Sequence, residues 1–168
     1  MNIYKYVLFF LTIFSFSIIY AEENNLVNKQ CNRIGNKLGS VSVADCLAIG
    51  LTLTDGITFE GAPILIKEYP PLETREPLGK VLLIGGIHGD EYSSVSIIFK
   101  WLKTLNKHHS GLFHWNVIPL VNVDGLLRKK SQRVNGNNID LNRNFPISDW
   151  KNTALKYWIE ETGKNPRY

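Results

Sequence analysis

Val81-Leu82-Leu83-Ile84-Gly85-Gly86-Ile87-His88-Gly89-Asp90-Glu91 decides how this chain is read. Its first four residues form a continuous apolar run, the pattern of a strand buried on both faces, and the run breaks at once into glycine. Downstream, Val95, Ile98, Trp101, Leu102 and Leu105 recur at helical spacing. Asp90 stands where it would cap that helix, which begins near Glu91. Trp115 to Val123 returns as a second apolar strand closed by Asp124-Gly125. Strand, helix, strand is a crossover, so the two strands should run parallel within an α/β sheet. Sites in such sheets form beyond the carboxyl ends of strands, where His88 and the segment 122–125 both fall.

Upstream of this unit, Leu51-Thr52-Leu53 and Ile57-Thr58-Phe59 flank Asp55-Gly56, a turn signal, and Pro63 to Lys67 follow Gly61. These read as short strands, and Pro70 to Pro77 as a turn-rich connector. Residues 22–50 form a weakly helical preface carrying both cysteines, Cys31 and Cys46. Val7 to Ile19 is almost wholly apolar after Lys5 and ends at Ala21 before Glu22, which describes a secretory signal peptide over residues 1–21. That run is well short of the roughly 20 residues a membrane span needs, so no stable anchor is expected; an uncleaved anchor is the alternative. Two cysteines in an exported chain predict a disulfide between Cys31 and Cys46, two buried free thiols being the alternative.

The whole chain has 168 residues, 44% of them hydrophobic, and a formal net charge of +4. Loss of Lys5 with the signal peptide lowers that charge by one, too weak an excess to point to nucleic acid. Residues 51–168 therefore stand as one domain with a real core. The same composition allows an enzyme, a binding module or a non-catalytic remnant, so the choice falls to particular residues.

His88 and Glu91 are three apart, close enough to converge on one ion, and imidazole and carboxylate are proper zinc ligands. Arg133, Asp140, Asn142 and Arg143 follow in one segment. Arginine grips a carboxylate bidentately and keeps its charge. Asp140 would accept a hydrogen bond from the free nitrogen of a ligating His88 and so fix its tautomer. A catalytic zinc takes three protein ligands and a water, and the third is missing here. His114 begins the strand parallel to the one that His88 ends, which places it roughly 20 Å away at the opposite edge. His108 and His109 follow the returning helix and lie at that wrong edge too.

Three stretches together resemble the zinc carboxypeptidase family, peptidase family M14, and within it the murein peptide amidase A-like branch. They are Gly86 to Val95, Asn122-Val123-Asp124-Gly125, and Arg133 to Pro146 with its Asp140-Leu141-Asn142-Arg143-Asn144-Phe145 core. The resemblance implies a mixed, twisted sheet with helices on both faces. It implies zinc (Zn2+) held by His88 and Glu91, carbonyl polarisation by Arg133, a substrate carboxylate held by Asn142 and Arg143, and Asp140 orienting His88. The third zinc histidine and the general-base glutamate of that family have no counterpart up to Tyr168, so the chain reads as C-terminally truncated and impaired. The implied partner is a peptide or muropeptide with a free carboxylate. In the amidase branch the cleaved bond joins γ-D-glutamate to diaminopimelate, met by an exported protein in the periplasm. Val123 departs from the proline usual after Asn122, and Asn138 stands where glycine is common. The competing readings are a zinc deacylase of the aspartoacylase and succinylglutamate desuccinylase type, and a fragment without catalysis.

Overall fold

The computed structural model describes residues 21–145 and 148–164. The signal-peptide reading, apart from Ala21, lies outside the described residues, as does Pro146. The elements are α1 (21–37), α2 (Val43–Ala48), β1 (Thr52–Ile57), β2 (Pro63–Tyr69) and β3 (Lys80–Ile84). They continue as α3 (Tyr92–His108), β4 (His114–Ile118), α4 (Val123–Leu127), a 3-10 turn (Leu141–Arg143) and α5 (Trp150–Glu160).

The strands form one sheet in the order β1-β2-β4-β3. β3 and β4 run parallel, Val81 beside Trp115 and Ile84 beside Ile118, as the crossover through α3 requires. β2 pairs antiparallel with both β1 and β4, so the sheet is mixed. One core joins the preface to the sheet and helices. Cys31, Ile34, Leu38, Val41, Cys46 and Ile49 pack in the same cluster as Val95, Ile98, Phe99 and Leu102 of α3 and Leu126 of α4. Cys31 and Cys46 are disulfide-bonded across 15 residues of sequence. The α2 start is closed by a reciprocal Ser42–Asp45 capping box.

Several local expectations are corrected. Asp55-Gly56 is not a turn: β1 runs through it with a register shift, and the reversal comes at 58–61, where Gly61 takes a positive φ of 79° and Thr58 N–H donates to Ala62 O. The second crossover strand stops at Ile118. Residues 119–122 continue beside Gly85 and Gly86 through Val121 N–H to Gly85 O and Asn122 N–H to Gly86 O, and Asp124-Gly125 opens α4 rather than closing a strand. β3 is not buried on both faces. It is an edge strand with 61% of Leu82 exposed, because among the described residues nothing pairs with its outer side. Trp101 is half exposed, and Phe99 takes its expected place in the core.

Candidate metal centre

The carboxyl end of β3 delivers His88 through a passage that only glycines can thread. A Cβ on Gly85 would press to 2.7 Å from Ile98 Cγ1 and from the Pro119 carbonyl oxygen. Gly86 has φ 62°, a conformation that suits glycine. At Gly89 a Cβ would collide with backbone atoms of Gly125, Leu126 and Gln132. The turn is therefore pressed flat against the start of α4, and His88 is left only 8% exposed.

Glu91, not Asp90, is the N-cap of α3, and it makes no side-chain capping bond. Its carboxylate turns inward, with Oε1 3.0 Å from His88 Nδ1. The two residues thus converge in the turn ahead of the helix and not on its first turn. On the other side of the ring, Nε2 lies 3.2 Å from Asp140 Oδ1. Both carboxylates only accept, so a neutral ring donates to one of them, and in the tautomer protonated at Nε2 the donor goes to Asp140. A neutral imidazole then has no proton left at Nδ1, and that lone pair faces another acceptor. In that tautomer a cation between Nδ1 and Oε1 would relieve the contact, whereas a proton on Nδ1 makes it a hydrogen bond. Ligands about 2.0–2.2 Å from one tetrahedral ion stand about 3.3–3.6 Å apart, so the 3.0 Å pair would open by a few tenths of an ångström to hold zinc.

Asp140 is 1% exposed and caps the 3-10 turn, its Oδ1 also accepting from Asn142 N–H at 2.9 Å. Its Oδ2 accepts from Arg133 Nε at 2.9 Å. Burial alone would raise the Asp140 pKa, but the hydrogen bonds from Arg133, the Asn142 backbone and His88 outweigh it and hold the carboxyl below its ordinary value. Desolvation opposes the Arg133 charge, yet Asp140 first and then Glu91 and Asp90 raise its pKa. Arg133 Nη1 reaches Glu91 Oε1 at 3.3 Å, and the side chain stays 37% exposed, open on one side.

Asn142 lines a groove of about 360 Å³ together with His88, Glu91, Ile97 and Trp101. Arg143 lies next door, in a cavity of about 420 Å³ shared with Asn142, Phe145, Trp150 and Tyr157, and its Nη1 donates to Asn142 O at 3.1 Å. Asn138 takes φ 63°, so the turn after Asn135 keeps its shape without a glycine. His114 lies beside Lys80 at the far end of β3 and contacts Glu68 at 2.7 Å, well away from His88. Among the described residues no group of three or more His, Cys, Asp or Glu side chains could hold a metal.

In the sequence Asn122 stands out only as the first residue of its motif, and its role appears in its side-chain contacts. Its Nδ2 donates to Ile87 O at 3.1 Å and Arg133 O at 3.0 Å, while Oδ1 accepts from Gly125 N–H. One amide thus ties the histidine segment to the arginine segment. The Asn122-Val123-Asp124-Gly125 stretch was a visible signal, but its partners lie 35 and 11 positions away.

A mixed sheet carries this His–Glu–Asp–Arg cluster beyond the carboxyl end of β3, the α/β arrangement of carboxypeptidase-like folds. The catalytic-domain model for succinylglutamate desuccinylase and aspartoacylase matches residues 77–165, more than half the chain. The chain belongs to that family. It is 39% identical over 106 residues to murein peptide amidase A of Escherichia coli K12, an alignment covering 61% of this chain and 38% of the relative. The corresponding protein of Vibrio campbellii is 32% identical over 103 residues, and this chain covers 38% of its length as well. A solved structure of a candidate metallopeptidase from Shewanella amazonensis SB2B superposes with a TM-score of 0.50 at 25% identity, over 64% of this chain and 39% of that one.

Proposed function

We propose that this domain serves a zinc-dependent amidase or carboxypeptidase that cleaves an amide bond beside a carboxylate-bearing residue, with cell-wall peptides as the substrate class. The carrying observation is the His88 Nδ1–Glu91 Oε1 approach of 3.0 Å, with Asp140 on the opposite ring nitrogen. In this reading His88 and Glu91 are metal ligands and Asp140 holds the His88 tautomer. Zinc, when bound, supplies Lewis acidity and an acidified water as nucleophile. Arg133 donates to the scissile carbonyl and stabilises the charge that grows on its oxygen. Asn142 and Arg143 hold the substrate carboxylate, Asn142 from the His88 groove and Arg143 from beside it. The likeness to murein peptide amidase A supports a muropeptide as substrate. A site in the periplasm agrees with the apolar segment at 7–19 and with a disulfide, which persists in oxidising compartments. No helix among the described residues is long and apolar enough to cross a membrane.

Two ligands seldom hold zinc tightly, and among the described residues no group of three or more His, Cys, Asp or Glu side chains could hold a metal. His88 and Glu91 by themselves are therefore expected to bind zinc weakly. Chelator competition tests the metal reading: His88→Ala or Glu91→Gln should weaken zinc binding at least about tenfold, the expected scale for losing one of two ligands. Equal affinity in both variants and the parent would refute it. Substrate class is tested on a chain extended to the relatives' full length, assayed on a muropeptide and on an N-acyl amino acid. The second substrate is included because the matched family is that of deacylases. In the same assay Arg133→Gln should lower kcat by about 10²–10³ with little change in KM.

A further inference from the structure

The preface reaches the arginine segment through one side chain. Lys37, the last residue of α1, donates from Nζ to the carbonyl of Arg128 at 2.7 Å and of Lys129 at 3.2 Å. Its ammonium also lies 5.9 Å from the centre of the Tyr92 ring. Arg128 is the C-cap of α4, so its carbonyl stands at a helix end that lacks an intrahelical donor, and the Lys129 carbonyl follows just past it. The choice of a lysine there is informative because Arg128, Lys129 and Lys130 follow one another, and a fourth cation beside them is repelled unless specific acceptors hold it. Arg128 itself is turned away to Glu60, donating through Nε and Nη2 at 3.0 and 2.8 Å.

What Lys37 holds is the loop that leads to Arg133. Further along it, the Ser131 hydroxyl donates to Leu126 O at 2.7 Å and meets Tyr92 Oη at 2.6 Å. Gln132 N–H donates to Gly125 O at 2.8 Å. The Arg133 carbonyl is then gripped by Asn122, and its guanidinium is presented to Asp140 and Glu91. The other end of the clamp is firm. Ile34 and Leu38 are buried on either side of Lys37, Cys31 is bonded to Cys46, and the Ser40 hydroxyl meets that of Ser96 on α3 at 2.6 Å.

We propose that Lys37 is a positioning residue for Arg133: by holding the carbonyls of Arg128 and Lys129, it sets the register in which the 128–132 loop delivers the guanidinium to Asp140 and Glu91. The functional meaning rests on Arg133 acting on the substrate carbonyl, but the structural consequence can be read without zinc or substrate. The readout is hydrogen exchange at Arg133 Nε–H in the 15N-labelled full chain, since that proton donates to buried Asp140. Lys37→Met keeps the apolar stem and removes donor and charge, Lys37→Arg restores both, and Lys103→Met breaks an exposed ion pair with Asp45 as a stability control. Exchange should quicken about tenfold in Lys37→Met, the scale of one lost hydrogen bond to a charged group, and stay at the parent rate in the other two. If Lys37→Met does not fold, Lys37→Gln, which keeps one donor without charge, should show a rise of about threefold. An unchanged rate in the neutral variant, or an equal rise in Lys103→Met, overturns the proposal. Failure of the chelator test would leave this result standing, so the two readings are judged separately.

Discussion

Replacing Asp140 by asparagine changes little in shape, which makes its effect calculable. The carboxylate accepts three hydrogen bonds inside the protein: Oδ1 from His88 Nε2–H and Asn142 N–H, and Oδ2 from Arg133 Nε–H. An amide has one acceptor oxygen, so its NH2 must face a donor in either orientation. The less costly orientation keeps the oxygen on His88 and Asn142 and sets NH2 against Arg133 Nε. One hydrogen bond to a charged group is then lost, about 1.5–3 kcal/mol, and a buried amide donor is left without an acceptor, about 1–3 kcal/mol. Partial exposure of Arg133 lets water take back some of this, so the expected loss is about 3 kcal/mol. For a domain of this size that lowers Tm by about 6–12 °C. Urea unfolding of both chains at pH 7 measures it. The pH dependence has a definite sign: the Asp140 pKa is depressed in the fold, so its contribution is present above the unfolded value and lost as pH falls through the folded one. The gap between the two proteins should be full at neutral pH and narrow below about pH 4. A variant within about 0.5 kcal/mol of the parent at pH 7, or a gap indifferent to acid, would refute the assigned network.

Other consequences follow from the same packing. Gly89→Ala should cost more than about 3 kcal/mol, because its methyl meets only backbone, and circular dichroism should show little folded protein. Opening the Cys31–Cys46 bond, by reduction or by Cys31→Ser with Cys46→Ser, should lower unfolding free energy by about 3 kcal/mol; a shift below about 1 kcal/mol would mean the preface is held by packing alone. Tyr69 donates to Leu102 O and contacts Asn106 Oδ1 at 2.6 Å, and burial pushes its pKa up to about 12. A raised phenol pKa means the stabilisation is present below about pH 10, the unfolded value, and is lost as pH rises toward the folded one. Tyr69→Phe should therefore be about 1–2 kcal/mol less stable at pH 8 and approach the parent above pH 11, as urea unfolding at both pH values would show.

The crossover was legible because its signals are local. A strand of four apolar residues, two glycines and a helical period occupy neighbouring positions, and the physics of right-handed crossovers supplies the rest. The mixed character of the sheet was not legible from pattern. β2 inserts between β1 and β4, a pairing of Lys67 with Val117 across 50 residues that no local period records, and it came instead from the family resemblance. Asp55-Gly56 misled because a turn dipeptide also serves a strand irregularity, and only the β2 register tells them apart. Trp101 misled because helical spacing marks a stripe without saying which residues at its margin meet the core.

By itself the sequence determined which side chains could carry metal and carboxylate chemistry, since His88, Glu91, Arg133, Asp140, Asn142 and Arg143 bring their donor types and charges wherever they lie. Tertiary structure alone decided how they meet. Asp140 is 52 positions from His88, yet it takes the ring nitrogen opposite Glu91 and so leaves Nδ1 and a carboxylate oxygen facing one point. Arg143 stands outside the His88 groove although Asn142, its neighbour in sequence, lines it. Lys37 and Asn122 hold the arginine segment from 91 and 11 positions away. Hydrogen bonds act over about 3 Å, so contacts between residues so far apart in sequence exist only once the chain has closed on itself.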